Sequence, residues 1–157
     1  MHDKNVVHCD ISPGNILLKD NSLNNIVLSD FSAAENLNDT AQTPYTTASG
    51  TDGFASRRMR NNESRYEELY PADKYSDYYS IGAVLLFMLT GEYPESSESI
   101  QWTGGRAPEL TVAEWRKAME EKGGLTKEEC DKAIGFIELT VRDDMTVQPE
   151  KIFDYAF

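Results

Sequence analysis

Two carboxylates and a carboxamide are the residues best suited to chemistry. The run Val6-Val7-His8-Cys9-Asp10-Ile11-Ser12-Pro13-Gly14-Asn15-Ile16-Leu17-Leu18 carries Asp10 and Asn15 on one loop, joined by a Pro-Gly turn that leads straight into a β-like stretch. Asp30 follows at the end of the next such stretch, just before Phe31. Three oxygen-bearing side chains then converge where a hard cation such as Mg²⁺ can bridge phosphates, because that ion favours carboxylate and carbonyl oxygens with retained waters. The chemistry implied is phosphoryl transfer. An isolated Asp in a Pro-Gly turn more often accepts backbone amides than reacts, so the inference stands on the set and not on Asp10 alone. His8 reads as a packed core residue, neither general base nor metal ligand.

Positioning these groups requires a scaffold, and its outline is visible. Asn15-Ile16-Leu17-Leu18 and Asn25-Ile26-Val27-Leu28 read as the strands of a small hairpin, separated by turn-forming residues 19–24. Residues 32–53, rich in Ala, Ser, Thr, Asn and Asp, show neither helical nor strand period and read as a long functional or mobile loop. Asp77 to Gly91 reads as a central buried helix, apolar on nearly every side after Ser80 and closed by a glycine suited to a left-handed cap. Capping boxes Thr111-Val112-Ala113-Glu114 and Thr126-Lys127-Glu128-Glu129 announce two further helices. In the second, Cys130, Ala133, Ile134, Ile137 and Val141 form a buried stripe, with Glu128, Lys132 and Glu138 left to solvent. A last short helix is predicted from Pro149 towards Phe157.

The 157 residues are 39% hydrophobic and 27% charged, enough to enclose a single core. With 15 basic against 27 acidic residues the net charge is −12, which excludes a general affinity for nucleic acid or anionic membranes. The apolar run Ile81 to Leu89 is too short to cross a bilayer, and no apolar signal core follows Met1. Cys9 and Cys130 form neither a disulfide framework nor a zinc spacing, so reduced thiols and a cytoplasmic setting are expected.

These residues resemble the catalytic and metal-binding loops of the eukaryotic-type protein kinase family. His8-Cys9-Asp10 stands where the family has His-Arg-Asp, Asn15 where it has a second metal ligand, and Asp30-Phe31-Ser32 where it has Asp-Phe-Gly. Gly50-Thr51-Asp52-Gly53-Phe54-Ala55-Ser56 resembles the end of an activation segment of the casein kinase 1 style, and Asp77-Tyr78-Tyr79-Ser80-Ile81-Gly82 the helix start Asp-x-Trp-Ser-x-Gly. The resemblance implies a mainly α fold with a small β-hairpin: a kinase-like C-terminal lobe over 1–157, without the N-terminal lobe. Within it, the catalytic loop would be 8–15, the metal loop 30–32, the activation segment 33–58 and the central helix 77–90. It also implies ATP and Mg²⁺ as cofactors. Asp10 would orient the acceptor hydroxyl and take its proton, Asn15 and Asp30 would hold the metal ions on ATP, and Thr51 would support Asp10. His8 and Phe31 would stack in a column anchored at Asp77, whose carboxylate holds backbone amides. Leu17 would lie beneath the adenine, resting on Val84 and Met88.

The departures bear on whether the chain is an enzyme. The family's glycine-rich loop, phosphate-gripping lysine, its glutamate partner and the hinge are expected to be missing, so the lobe needs a partner, an upstream segment or self-association to cover its apolar face. Ser12 replaces the family's usual lysine, and losing one such preorganised contact costs about 2.7–4 kcal/mol of transition-state stabilisation. Cys9 replaces an arginine that pairs with phosphorylated activation loops, and Ser32 replaces a glycine whose freedom the metal loop uses. Thr43, Tyr45, Thr46, Thr47 and Ser49 are candidate phosphorylation sites. Arg58 and Asp144 suggest a charge-swapped version of a family Glu–Arg pair. Arg57, Arg58, Arg60 and Arg65 form a positive patch at the presumed substrate groove, suited to an acidic or phosphorylated protein partner. Two functions compete: the catalytic lobe of a Ser/Thr-type protein kinase, weak or inactive in isolation, and a non-catalytic pseudokinase-like module that docks on a partner kinase or other protein.

Overall fold

The computed structural model describes residues 1–20, 24–39, 50–56, 59, 72–91 and 112–141. The predicted helix at 149–157, the Arg58–Asp144 pair, the arginine patch, the hydroxyls at 43–49 and the Thr111 cap lie outside the described residues.

Helix α1, Lys74–Thr90, is the element on which the rest is assembled. It begins a turn before Asp77 because Asp73 caps it, its side chain accepting from Ser76 N at 3.1 Å. It ends at Gly91, whose φ of 73° is the left-handed geometry that only glycine adopts without cost, and whose N–H donates to Phe87 O at 2.8 Å. The expectation of burial on nearly every side needs correction. Tyr79, Ala83, Val84 and Leu86 are buried, but Ile81 and Met88 are exposed, the latter by 63%.

Helices α2, Val112–Glu121, and α3, Lys127–Thr140, pack against α1. The capping box of α3 forms in both directions: Thr126 N donates to Glu129 Oε2 at 2.8 Å and Glu129 N to Thr126 Oγ1 at 3.4 Å. Cys130, Ala133, Ile134 and Ile137 bury against Leu86, Trp115 and Met119, as their spacing predicts, so Cys130 is core filler. Gly82 sets the closeness of α1 to α3, since a Cβ there would overlap Thr140 Oγ1 and approach Val141 Cγ2 to 2.9 Å.

Strands β2, Ile16–Leu18, and β3, Ile26–Leu28, make the predicted antiparallel hairpin, pairing Ile16 with Leu28, Leu17 with Val27 and Leu18 with Ile26. A second ladder has no counterpart in the sequence reading: β1, Val6–Val7, pairs antiparallel with β4, Glu35–Asn36. Strands of two residues carry no period to detect. The ladder pins both ends of the segment 8–34, which contains Asp10, Asn15 and Asp30.

One apolar cluster fastens that segment to α1, and a second ties its start to residues 55 and 59. Ile11 and Phe54 pack with Tyr79, Ala83 and Val84 of α1, with Ile16, Leu28 and Phe87 against them. Val7 and Cys9 pack with Ala55 and Met59. No helix among the described residues is long and apolar enough to cross a membrane.

Candidate active site

The loop 8–15 is held from below by one carboxylate. Asp77, fully buried at the start of α1, accepts His8 N at 2.8 Å on Oδ2 and Cys9 N at 2.9 Å on Oδ1, the amide-holding role expected for it. Cys9 sits at φ 66°, a left-handed conformation that costs an L-residue about 1–2 kcal/mol, and the bond from its amide offsets that cost. A third bond reaches Asp77 from His2, whose Nε2 lies 2.8 Å from Oδ2 while Nδ1 lies 3.3 Å from Tyr78 Oη.

His8 connects this anchor to residues 29–31. Asp10 N donates to His8 Nδ1 at 3.3 Å, which leaves the hydrogen on Nε2 for Ser29 O at 3.0 Å; one neutral tautomer serves both bonds. Ser29 returns two bonds to the loop 8–15, its N and Oγ donating to Asn15 O at 2.9 and 3.2 Å. The residue before Asp30 is therefore bonded to Asn15 itself. The His8 and Phe31 rings are in contact, with centroids 4.7 Å apart, as the predicted column requires.

Asp10 is half-buried and oriented on both oxygens. Thr51 Oγ1 donates to Oδ1 at 2.6 Å, and Asn15 Nδ2 donates to Oδ2 at 2.9 Å and to the Asp10 carbonyl at 2.8 Å. With its NH₂ group committed in this way, Asn15 keeps its amide oxygen for another partner. Asp30, at φ 56°, is exposed and accepts Ser32 N at 3.2 Å. Hydrogen bonds from the Ser32 side chain and backbone hold its carboxyl below the ordinary carboxylate value, so it is ionised at neutral pH. An amide oxygen and an ionised carboxylate are hard donors that fit Mg²⁺, which takes one or two protein oxygens and completes its shell with phosphates and water. Among the described residues no three His, Cys, Asp or Glu side chains form a protein-only metal cage.

Above Asp10 opens a depression of about 450 Å³, lined by Asp10, Ser12, Asn15, Thr51, Phe54 and Phe87 together with the Pro13-Gly14 turn. Asp10, Asn15 and Thr51 are thus joined by direct hydrogen bonds. Asp30 stands outside both that hydrogen-bonded set and the lining, and is tied to it through Ser29.

Leu17 departs from its expected packing. It is 49% exposed, and from this hairpin Ile16 and Leu28 are the half-buried side chains that reach the Val84 cluster. Alternation explains the difference: Ile16 and Leu28 are directly paired and share one face, which sends the Leu17–Val27 pair to the other. Met88, the other expected support, is itself exposed.

Sequence reasoning missed His2 and Ser29, which act through long-range hydrogen bonds with no local signature. It also missed Phe87 as part of the lining, though its place on α1 one turn after Ala83 was available as a signal.

Comparison with known proteins gives a consistent picture. A family model described as the protein kinase domain matches residues 1–146. Over 154 residues, 94% of the chain, the sequence is 29% identical to the G-type lectin S-receptor-like serine/threonine-protein kinase SD2-5 of Arabidopsis thaliana, covering 18% of that protein. It is 36% identical over 98 residues, 62% of the chain and 13% of the relative, to the probable serine/threonine-protein kinase PknB of Bifidobacterium longum. Over 130 residues it is 27% identical to the serine/threonine-protein kinase SBK1 of Danio rerio, covering 77% of the chain and 32% of that relative. The chain spans less than a third of the length of each of these three proteins.

Proposed function

The chain belongs to the eukaryotic-type protein kinase family, and from that premise we propose that it forms the large, helical lobe of a serine/threonine-type protein kinase. Completed by a nucleotide-gripping lobe, it transfers the γ-phosphate of ATP to a protein hydroxyl. Within the lobe, 8–15 serves as catalytic loop, 30–32 as metal loop, 33–58 as activation segment and 77–90 as central helix.

The observation that carries this reading is the orientation of Asp10 by Thr51 and Asn15 at the edge of an open depression. A carboxylate held by two neutral donors retains lone pairs for an acceptor O–H. As the acceptor oxygen bonds to the γ-phosphorus, the bond from that phosphorus to the β–γ bridging oxygen breaks, the acceptor proton passes to Asp10, and ADP leaves. Asn15, through its amide oxygen, and Asp30 would hold Mg²⁺, which when bound neutralises phosphate charge. Leu17, exposed on the hairpin, is the surface offered to adenine.

The partner in this reading is a protein substrate, whose acidic or phosphorylated stretch meets the arginines between 57 and 65. The exposed Leu17, Ile26, Phe31 and Met88 support a covering lobe, a partner or self-association. The burial of Cys9 and Cys130 supports a reducing, cytoplasmic setting.

The test is phosphate transfer from Mg-ATP by the full-length protein. Asp10→Asn lowers kcat by about 10²–10⁴, the range for removing a general base; an unchanged rate refutes the assigned mechanism. A second reading, a pseudokinase-like module that docks without catalysis, is favoured by one observation, the neutral Ser12 two residues beyond Asp10. Under that reading no transfer occurs with or without Asp10.

A further inference from the structure

We propose that the depression beside Asp10 receives a cationic side chain, an ammonium or guanidinium carried by the acceptor polypeptide next to its reacting hydroxyl. This rests on the reading of Asp10 as the group that meets the acceptor, and adds to it a substrate class.

Asp10 is half-buried, and both hydrogen bonds to its carboxylate, from Thr51 and Asn15, come from neutral donors. Among the described residues it has no ion-pair partner, and no Lys, Arg or His lines the depression. Ser12, only 4% exposed, contributes a hydroxyl where a longer residue could have carried a cation to Asp10. The whole chain is net −12, so its overall field favours a positive visitor.

The lining then specifies the kind of cation. Phe54 and Phe87, edge to face at 5.6 Å, give part of the wall a carbon surface that suits the methylene stem of lysine or arginine better than a hydrated metal ion. The oxygens of Ser12 and Thr51 can each accept from the charged head. At about 450 Å³ the space admits such a side chain alongside the acceptor hydroxyl. A cation supplied by the substrate would sit beside the γ-phosphate, so selection of the acceptor and stabilisation of the transferring charge would be one event. The acidic stretch assigned to the arginines 57–65 would lie further along the same polypeptide.

The test uses three fluorescent peptides identical except at the residue after a single Ser: Lys, norleucine, which keeps the stem without the charge, or Glu. Anisotropy titrations with the full-length protein are expected to show the Lys peptide binding about tenfold more tightly than the norleucine peptide, with Glu weakest and the gap shrinking as salt rises. Ser12→Lys, which installs an internal cation, erases the gap; Asp10→Asn, which keeps the shape and removes the charge, erases it too and serves if the first variant does not fold. Equal binding of Lys and norleucine peptides, tighter binding of Glu, or a gap that survives Asp10→Asn overturns the proposal. A Lys preference in a protein that transfers no phosphate keeps the cation subsite and removes the kinase reading, while transfer without a Lys preference does the reverse.

Discussion

Asp77→Asn isolates the anchor beneath the loop 8–15. The substitution preserves shape and burial but leaves one acceptor oxygen where the structure uses two: Oδ1 for Cys9 N at 2.9 Å, and Oδ2 for His8 N and His2 Nε2, each at 2.8 Å. The better amide orientation keeps its oxygen towards His8 and His2 and turns NH₂ against the Cys9 N–H. One hydrogen bond to a charged group, worth about 1.5–3 kcal/mol, is lost, and the two that remain each weaken by about 1 kcal/mol on becoming neutral. The sum is about 3.5–5 kcal/mol, in line with the cost of spoiling a buried ionic network. Cys9 feels the change most, because its left-handed backbone at φ 66° loses the bond that holds it. Urea unfolding of Asp77→Asn against the parent reads the total, with exposed Asp52→Asn as a control expected to move stability by less than about 0.5 kcal/mol. Amide exchange at His8 and Cys9 reads the location, and should accelerate by about 2.5 to 3.5 decades, at about 1.4 kcal/mol per decade. A loss below about 1 kcal/mol with unchanged exchange at those amides would refute the reasoning.

Gly82→Ala should lower thermal stability by about 1–3 kcal/mol as α1 is pushed off Thr140 and Val141, although alanine in a helix interior ordinarily gains about 1 kcal/mol over glycine; a rise in Tm would show that the two helices are not in close contact. Thr126→Ala should cost about 1 kcal/mol at neutral pH through the lost cap of α3. Bonds from Thr126 lower the pKa of Glu129 beneath its ordinary 4.5, so the stabilisation it brings is complete above that value and is lost as acid protonates the folded state below it. The stability gap between parent and Thr126→Ala, followed by denaturant unfolding across this range, should therefore narrow on acidification; a gap that widens contradicts the capping geometry.

The parts of the fold legible in the sequence are those whose signals are local. The buried stripe of α3, its capping box and the Gly91 stop all depend on residues within a turn or two of each other, and all appear where predicted. The role of Asp77 as a holder of amides was also legible, through the resemblance that covers both it and the loop 8–15. The β1–β4 ladder was not, since four residues in two distant pairs give no pattern until tertiary structure brings them together. The packing of Leu17 was not legible for a related reason: three neighbouring apolar residues, Ile16-Leu17-Leu18, do not reveal which faces the helix until pairing with Leu28 fixes the register. In the candidate site the residue types were visible and their wiring was not. Nothing in the sequence shows that His8 bonds to the carbonyl before Asp30, or that Ser29 closes the circuit back to Asn15.

The central claim is that Asn15 and Asp30 share one divalent ion on a nucleotide presented to Asp10, and paramagnetic broadening tests it most directly. Mn²⁺ with a non-hydrolysable ATP analogue, titrated into isotope-labelled full-length protein, should broaden the backbone signals of Asn15 and Asp30 first, then Asp10, while Trp115 and Thr140 in the helical core stay sharp. Broadening that spares Asn15 and Asp30, or falls instead on the acidic surfaces of α2 and α3, would contradict the account.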